Sequence, residues 1–467
     1  MFKRLNSPID MTQGTPWKGI VAFTLPMLIG NIAQQLYSTV DSIVVGRYIG
    51  DNALTAVGSS MPILNLLLVL FIGISAGASI MVAQYFGAKN REALSATIGN
   101  CITVTAIVCV GMIIVAAPFI RPILKMLNTP EVPITEGSTK TILDACAEYL
   151  LISLVGMAGM GYYNILSGII RGLGDSFSAL VYLIVATVVN IFLDIFFVAY
   201  VKMGVAGVAL ATVIAQVISS ILCLIKLSKM REFFDFRLKD LKPKSSYVKT
   251  VIKLGLPSGL TQAIMSSAMI VVQSLTNCFG PQFIAANVII MRVDGFAMMP
   301  NFSFGMALTT YAGQNVGAGL YDRVSKGAKQ GTLLAVGCSA AITVVILIFG
   351  KWLMGIFTKT PELVDMSYQL MLYLAVGYIA MAVTQSLSGI MRGAGDTMTP
   401  MWISLITTVA VRVPLAYGIS FLTRTPELPY GIKECIQISL VSSWVIGAVL
   451  TALFYARGKW KTKAIKQ

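Results

Sequence analysis

Nine residues, Ser167-Gly168-Ile169-Ile170-Arg171-Gly172-Leu173-Gly174-Asp175, recur 221 positions later as Ser388-Gly389-Ile390-Met391-Arg392-Gly393-Ala394-Gly395-Asp396, with two of the nine changed. Both copies lie between long apolar stretches, so the chain is a tandem duplication. The duplication reaches further. Leu25-Pro26 matches Leu256-Pro257, Gln84 with Gly87-Ala88 matches Gln314 with Gly317-Ala318, and Thr129-Pro130-Glu131 matches Thr360-Pro361-Glu362. The offset is 230 or 231 in these pairs and 221 afterwards, which places a ten-residue insertion near Glu136–Cys146.

The material between the repeats decides the class. With 56% hydrophobic and 12% charged residues, a 467-residue chain does not fit a soluble fold. Apolar runs long enough to cross about 30 Å of hydrocarbon recur throughout. Twelve spans are expected, at 18–46, 53–83, 93–120, 149–170, 176–201, 203–226, 250–278, 283–312, 329–350, 366–391, 397–423 and 434–456. Spans this long without strict alternation are helices, because lipid cannot satisfy backbone hydrogen bonds. The fold class is therefore an all-α integral membrane protein: two six-helix lobes, in the same orientation because six is even, related by a pseudo-two-fold axis along the membrane normal. The expected domains are 1–235 and 250–467, with a solvated cytoplasmic linker at 236–249 inside the basic stretch 227–249 around Pro243.

With both termini in the cytoplasm, about two-thirds of the 35 basic residues fall on the inner side, as the positive-inside rule requires. That accounts for the net charge of +15 and leaves no folded basic domain for nucleic acid. The first apolar run is too long for a secretory leader, so an inner (plasma) membrane location is expected. There is no CxxC pair, and histidine is absent, which removes zinc–histidine, haem–histidine and His-relay chemistry. No cofactor, metal centre or catalytic residue set is expected, and the chain is not read as an enzyme.

The repeated Arg-Gly-x-Gly-Asp lacks the lysine, hydroxyl and preceding strand of a phosphate loop. It reads as a helix–helix turn in which glycine makes the bend, Arg171 and Arg392 hold the inner face, and Asp175 and Asp396 cap the next helix.

Three acids lie within spans, Asp41, Asp194 and Asp294. Each costs about 2.5–3.5 kcal/mol at a helix centre on insertion scales and so requires a partner or a task. Asn190 and Asp194 share one helix face, as do Gln34, Tyr37, Ser38 and Asp41. Carboxylate, amide and hydroxyl oxygens together suit a hard monovalent cation or a protonatable carboxylate. The structural alternatives are a snorkelling pair between Asp41 and Arg47 and an ion pair between Asp294 and Arg412. Met291, Met298, Met299 and Met306 crowd the eighth span with Phe296, Phe302 and Phe304, a composition suited to an adaptable apolar cavity or to ordinary packing. The expected substrate cavity takes in Gln34, Tyr37, Arg292, Asp294, Met298 and Asn301, and Pro26 is the expected hinge of the first helix.

The chain resembles the multidrug and toxic compound extrusion (MATE) family over nearly its whole length. The resemblance is carried by Phe23-Thr24-Leu25-Pro26, Gln35-Leu36-Tyr37-Ser38-Thr39-Val40-Asp41 running into Val45-Gly46-Arg47, and Ala53-Leu54-Thr55-Ala56-Val57-Gly58. It continues in Gly204-Val205-Ala206-Gly207-Val208-Ala209-Leu210-Ala211-Thr212 and both SGI-RG-GD motifs. It implies two lobes in a V, alternating access, and export of small organic cations driven by H+ or Na+; the expected partners are these cations and the lipid bilayer, and the chain is expected to be monomeric. It also implies a cation site at Asp41, Asn190, Asp194 and Thr212, which would be the only place for sodium. The second-lobe acids used by some members, on the seventh and tenth helices, have no counterpart between Lys253 and Met291 or between Asp365 and Arg392. A lipid-linked precursor flippase of the same superfamily is the alternative; it needs a basic cavity, and only Arg292 and Arg412 lie within spans.

Overall fold

A computed structural model gives the fold of residues 8–48, 51–126, 129, 131–133, 140–235 and 237–465; side chains at 36–55, 58, 59, 61 and 62 lie outside the description. Twelve long helices account for most of it: α1 (Pro16–Tyr48), α2 (Asp51–Gly87), α3 (Arg91–Met126), α4 (Ile142–Gly172), α5 (Ser176–Tyr200) and α6 (Val205–Lys229), then α7 (Ser245–Asn277), α8 (Pro281–Gly317), α9 (Tyr321–Gly355), α10 (Pro361–Gly393), α11 (Met398–Leu422) and α12 (Cys435–Ala456). Among the described residues, eleven helices, α2 to α12, are long and apolar enough to cross a membrane, and α1 has 33 residues. Pairing of strand type is limited, among the described residues, to one isolated bridge between Pro133 and Thr141. Large apolar side chains such as Ile114, Phe192 and Ile348 stay outward on α3, α5 and α9, as a lipid-facing surface requires.

The repeated turn behaves as expected. Gly174 and Gly395 take φ of 96° and 98°, which an L side chain rarely adopts. Asp175 Oδ1 accepts from the Ser178 N–H at 2.8 Å, and Asp396 Oδ1 from the Thr399 N–H at 3.2 Å, so each aspartate caps the next helix. Arg171 donates to Ser167 Oγ at 3.2 Å within its own helix. Asp175 also carries a load that its sequence neighbourhood does not show: Lys226 Nζ, at the end of α6, lies 2.9 Å from Oδ2.

Packing divides the chain into two compact units, residues 1–9 with 29–259 and residues 10–28 with 260–467. This differs from the sequential division expected at 236–249. Residues 245–259, the start of α7, pack in the first unit, and residues 10–28, which hold the start of α1, pack in the second.

In the first unit, α4 is central. Its Gly168 rests against Ser75 of α2, whose hydroxyl donates to the Asn164 carbonyl at 2.7 Å. Gly156 and Gly159 of α4 face Val213 and Val217 of α6. The stretch expected to be a solvated linker is docked instead. Phe234 is 2% exposed, the Lys244 N–H donates to Asn100 Oδ1 at 2.6 Å, and Thr103 Oγ1 donates to the Leu241 carbonyl at 2.6 Å. Arg91 holds the carbonyls of Arg231 and Glu232 and pairs with Asp235 at 3.1 Å. Backbone groups at Arg231, Glu232, Asp235, Leu241 and Lys244 are met by side chains of α3, so the stretch is held against that helix.

In the second unit the same crossing recurs between α10 and α8, with Gly389 set against the Gly305 carbonyl. A Cβ at Gly389 would collide with backbone there, which is why the repeat keeps glycine at this position. The segment before α1 is pinned by α8 and α9. The Met11 N–H donates to Gln314 Oε1 at 2.9 Å, and the Met11 carbonyl accepts from Asn315 Nδ2 at 3.1 Å and from Arg323 Nε at 3.2 Å. Met11 itself is 1% exposed.

Candidate functional site

Helix α5 is apolar along most of its length, so its polar face is conspicuous. Asn190 and Asp194 lie one turn apart on it, and both are buried. With the Asn190 amide turned so that its nitrogen faces the carboxylate, it donates to Asp194 Oδ2 at 2.9 Å, and its oxygen accepts from the Thr212 N–H at 3.2 Å. Thr212 belongs to α6, which the small residues Gly156 and Gly159 of α4 allow to approach closely. Two turns of neighbouring helices thus gather a carboxylate, a carboxamide and a threonine in the first unit. Directly after Asp194, residues Phe196–Tyr200 widen into a π-helical stretch, a distortion often found beside functional groups.

Of the expected coupling residues, Asn190, Asp194 and Thr212 therefore come together. Asp41 and Tyr37 lie on α1, and their side chains fall outside the described residues; Gln34, on the same helix, is exposed. Pro26 is inside α1 and buried.

The expected cavity residues of the second unit separate into two groups. Arg292 is exposed and Asp294 half-buried on α8. Met298 and Asn301 instead sit in the core. Met298 packs with Val293, Ala297, Tyr378 and Met381. The Asn301 amide donates to the Tyr378 carbonyl at 3.3 Å and its Oδ1 accepts from Ser339 at 2.6 Å. Neither is placed on an accessible wall; helix phase turns both towards α9 and α10, a direction that composition alone does not give. The methionine-rich segment divides likewise, with Met291, Phe296, Phe302 and Met306 exposed and Met299 and Phe304 buried.

The ion pair expected between Asp294 and Arg412 does not form, since no carboxylate–guanidinium distance falls within 4.0 Å. Tyr378, the buried tyrosine of α10, donates its hydroxyl to Met371 Sδ at 3.5 Å. Arg412 ends a second π-helical stretch, Ile406–Arg412, in α11. The π stretches fall in the corresponding fifth helices of the two repeats, and no sequence periodicity announced either. At the repeat offset of 221, Asn190 and Asp194 correspond to Val411 and Leu415, so the carboxylate–amide cluster was not retained in the second repeat.

Comparison with known proteins agrees with this architecture. The family profile described as MatE matches residues 26–196 and 257–418, once in each repeat. The probable multidrug resistance protein YoeA of Bacillus subtilis (strain 168) is 28% identical over 458 residues, covering 96% of this chain and 95% of that protein. The probable multidrug resistance protein NorM of Thermotoga maritima is 25% identical, with 96% of this chain and 94% of that protein covered. Among solved structures, an outward-facing multidrug resistance MATE family transporter of the MOP superfamily superposes with a TM-score of 0.87 at 23% identity, covering 97% of this chain and 98% of that one. A crystal structure of MATE in complex with MaL6 gives a TM-score of 0.86 at 24% identity, over 96% and 97% of the two chains. With twelve long helices, a duplicated frame and a family match in both halves, the chain belongs to the MatE family of multi-pass membrane transporters.

Proposed function

We propose that this transporter exports lipophilic organic cations across the plasma membrane, in exchange for a proton or sodium ion held at Asn190, Asp194 and Thr212 together with Asp41. The observation that carries the reading is the buried Asn190–Asp194 hydrogen bond against Thr212. A carboxylate taken from water into an apolar bundle needs compensation, and a coupling ion supplies it reversibly. The names of the relatives, several of them probable multidrug resistance proteins, support the drug-export part of the reading. The oxygen donors fit sodium as well as they fit a proton relay. Asn190 orients the carboxylate, and Thr212 adds a backbone donor and a hydroxyl. Both termini lie in the cytoplasm, and a single chain is the working unit.

The driving force is adequate: one charge crossing 100 mV supplies about 2.3 kcal/mol, which sustains roughly a fifty-fold gradient of a neutral solute at about 1.4 kcal/mol per decade. The test is ethidium movement in proteoliposomes under an imposed pH gradient and, separately, an imposed sodium gradient. Dye movement driven by one gradient and abolished in Asp194→Asn is the expected result. Equal movement by Asp194→Asn would refute the coupling role.

A further inference from the structure

The first unit has a cavity of about 330 Å³ at the end of α6, away from the Asn190–Asp194 cluster. Tyr182 of α5, Lys226 and Lys229 in the last turn of α6, and Met230, Glu232 and Phe233 just beyond it form most of its wall. Its size falls within the range of small-ligand sites, about 300–1,000 Å³. The wall is fixed by contacts outside the cavity. The Ser219 hydroxyl of α6 donates to the Tyr182 carbonyl at 2.9 Å, Arg91 holds the Glu232 carbonyl, and the Phe233 ring lies 5.5 Å from that of Phe86. Pro8 completes the lining, and the next residue, Ile9, donates its N–H to the Gly174 carbonyl at 3.1 Å. A preformed cavity of this kind asks little ordering of the protein when a ligand enters.

The charges on the wall define the ligand. Lys226 Nζ lies 2.9 Å from Asp175 Oδ2, so its charge is matched within the fold. Lys229 and Glu232 are exposed, and among the described residues neither has an ion-pair partner within 4.0 Å. The cavity therefore offers one cation and one anion to a visitor. Its remaining surface is apolar, from Met230 and Phe233. On the approach along α6, Ile221, Leu224 and Ile225 stay exposed on a helix apolar enough to cross a membrane. Lysines in the last turn of such a helix reach the level of the lipid headgroups. A molecule suited to this place has a phosphate, an amine and an apolar tail.

We propose that this cavity binds the headgroup of an aminophospholipid, phosphatidylethanolamine. Its phosphate accepts from Lys229 Nζ, its ammonium donates to the Glu232 carboxylate, and an acyl chain lies along Ile221, Leu224 and Ile225. Phosphatidylcholine has no N–H to give Glu232, and phosphatidylglycerol brings no positive charge to it, so each loses one of the two contacts. The site is separate from the transported substrate and its coupling ion.

The experiment uses the full chain in detergent, stripped of lipid and titrated with phosphatidylethanolamine, phosphatidylcholine or phosphatidylglycerol of one acyl composition. Melting temperature reports occupancy, and native mass spectrometry counts the lipid retained. The expected result is a half-maximal concentration about ten-fold lower for phosphatidylethanolamine than for the other two. Lys229→Gln should weaken phosphatidylethanolamine and phosphatidylglycerol alike, and Glu232→Gln should weaken phosphatidylethanolamine alone. Both side chains are exposed and both substitutions leave the Lys226–Asp175 pair intact, so the fold is retained. Equal potency of the three lipids on the parent protein would overturn the proposal, as would a preference that survives both substitutions. So would a preference for phosphatidylglycerol, which would give the cavity to an anionic lipid without a part for Glu232. Soluble glycerophosphoethanolamine should compete only weakly. Binding of it as tight as that of the lipid would assign the cavity to a soluble phosphate ester and overturn the lipid reading.

Discussion

Asn190 donates to Asp194 Oδ2 at 2.9 Å across one turn of α5, while its other amide atom accepts from the Thr212 N–H at 3.2 Å on α6. The amide is thus committed at both ends, and its N–H orients the carboxylate. Replacing Asn190 by Leu should keep the fold and weaken ion binding by roughly ten-fold, since one hydrogen bond to a charged group is worth about 1.5–3 kcal/mol, partly offset by apolar packing. The check is the half-saturation concentration of the driving ion, with expression level and melting temperature as controls. An unchanged ion dependence would remove Asn190 from the site.

Thr212→Val tests the same cluster from α6. The hydroxyl approaches the Asn190 amide at 3.3 Å, while the backbone N–H that the amide also uses survives the substitution. The expected effect is therefore smaller than for Asn190→Leu, about three-fold in ion affinity for a neutral hydrogen bond. A larger loss than in Asn190→Leu would mean that the hydroxyl itself contacts the ion.

Lys226 and Asp175 tie the end of α6 to the turn before α5, with the Asp175 side chain fully buried. Lys226→Met should lower stability by about 3–5 kcal/mol, because it strands a buried carboxylate. Adding Asp175→Asn should restore most of the loss. Thermal melting in detergent reads both, and equal melting temperatures for the parent and Lys226→Met would refute the pairing.

Arg323 donates to the carbonyls of Met11 and Gln13, at 3.1 Å and 2.5 Å through Nη2, and so fastens the segment before α1. Arg323→Ala should destabilise the second unit by about 2–3 kcal/mol. It should also expose residues 10–17 to protease, which limited digestion would show. Resistance equal to that of the parent would mean that Gln314 and Asn315 suffice.

Gly389→Val should be worse tolerated than any surface change, because the added atoms would press on the Gly305 backbone where α10 crosses α8. Overpacking of this kind costs about 1–3 kcal/mol, visible as a lower melting temperature. Gly337→Val, where a new Cβ meets open space, is the matched control.

Much of this was legible in advance because single-helix physics dictates it. Span length and lipid insolubility fixed the helices, the four-residue spacing put Asn190 and Asp194 on one face, and an aspartate after Arg-Gly-x-Gly became a cap in both repeats. What stayed hidden depends on which neighbour a helix meets. Lys226 finds Asp175 across 51 positions, Asn301 turns into a core rather than a cavity, and Arg412 ends a π-helical stretch that no apolar period encodes. The basic linker looked solvated because its side chains are charged, whereas its backbone and Phe234 are what dock.

The allocation of α1 and α7 bears on how such a gene can be cut. Residues 10–28 are encoded in the first half yet pack with the second unit, and residues 245–259 are encoded in the second half yet pack with the first. Two polypeptides produced by splitting the gene at the linker would each lack a segment that the other carries. Neither is self-sufficient, and fragment complementation would succeed only when both are made in the same membrane. The duplication has produced a pair of repeats that can no longer be inherited separately.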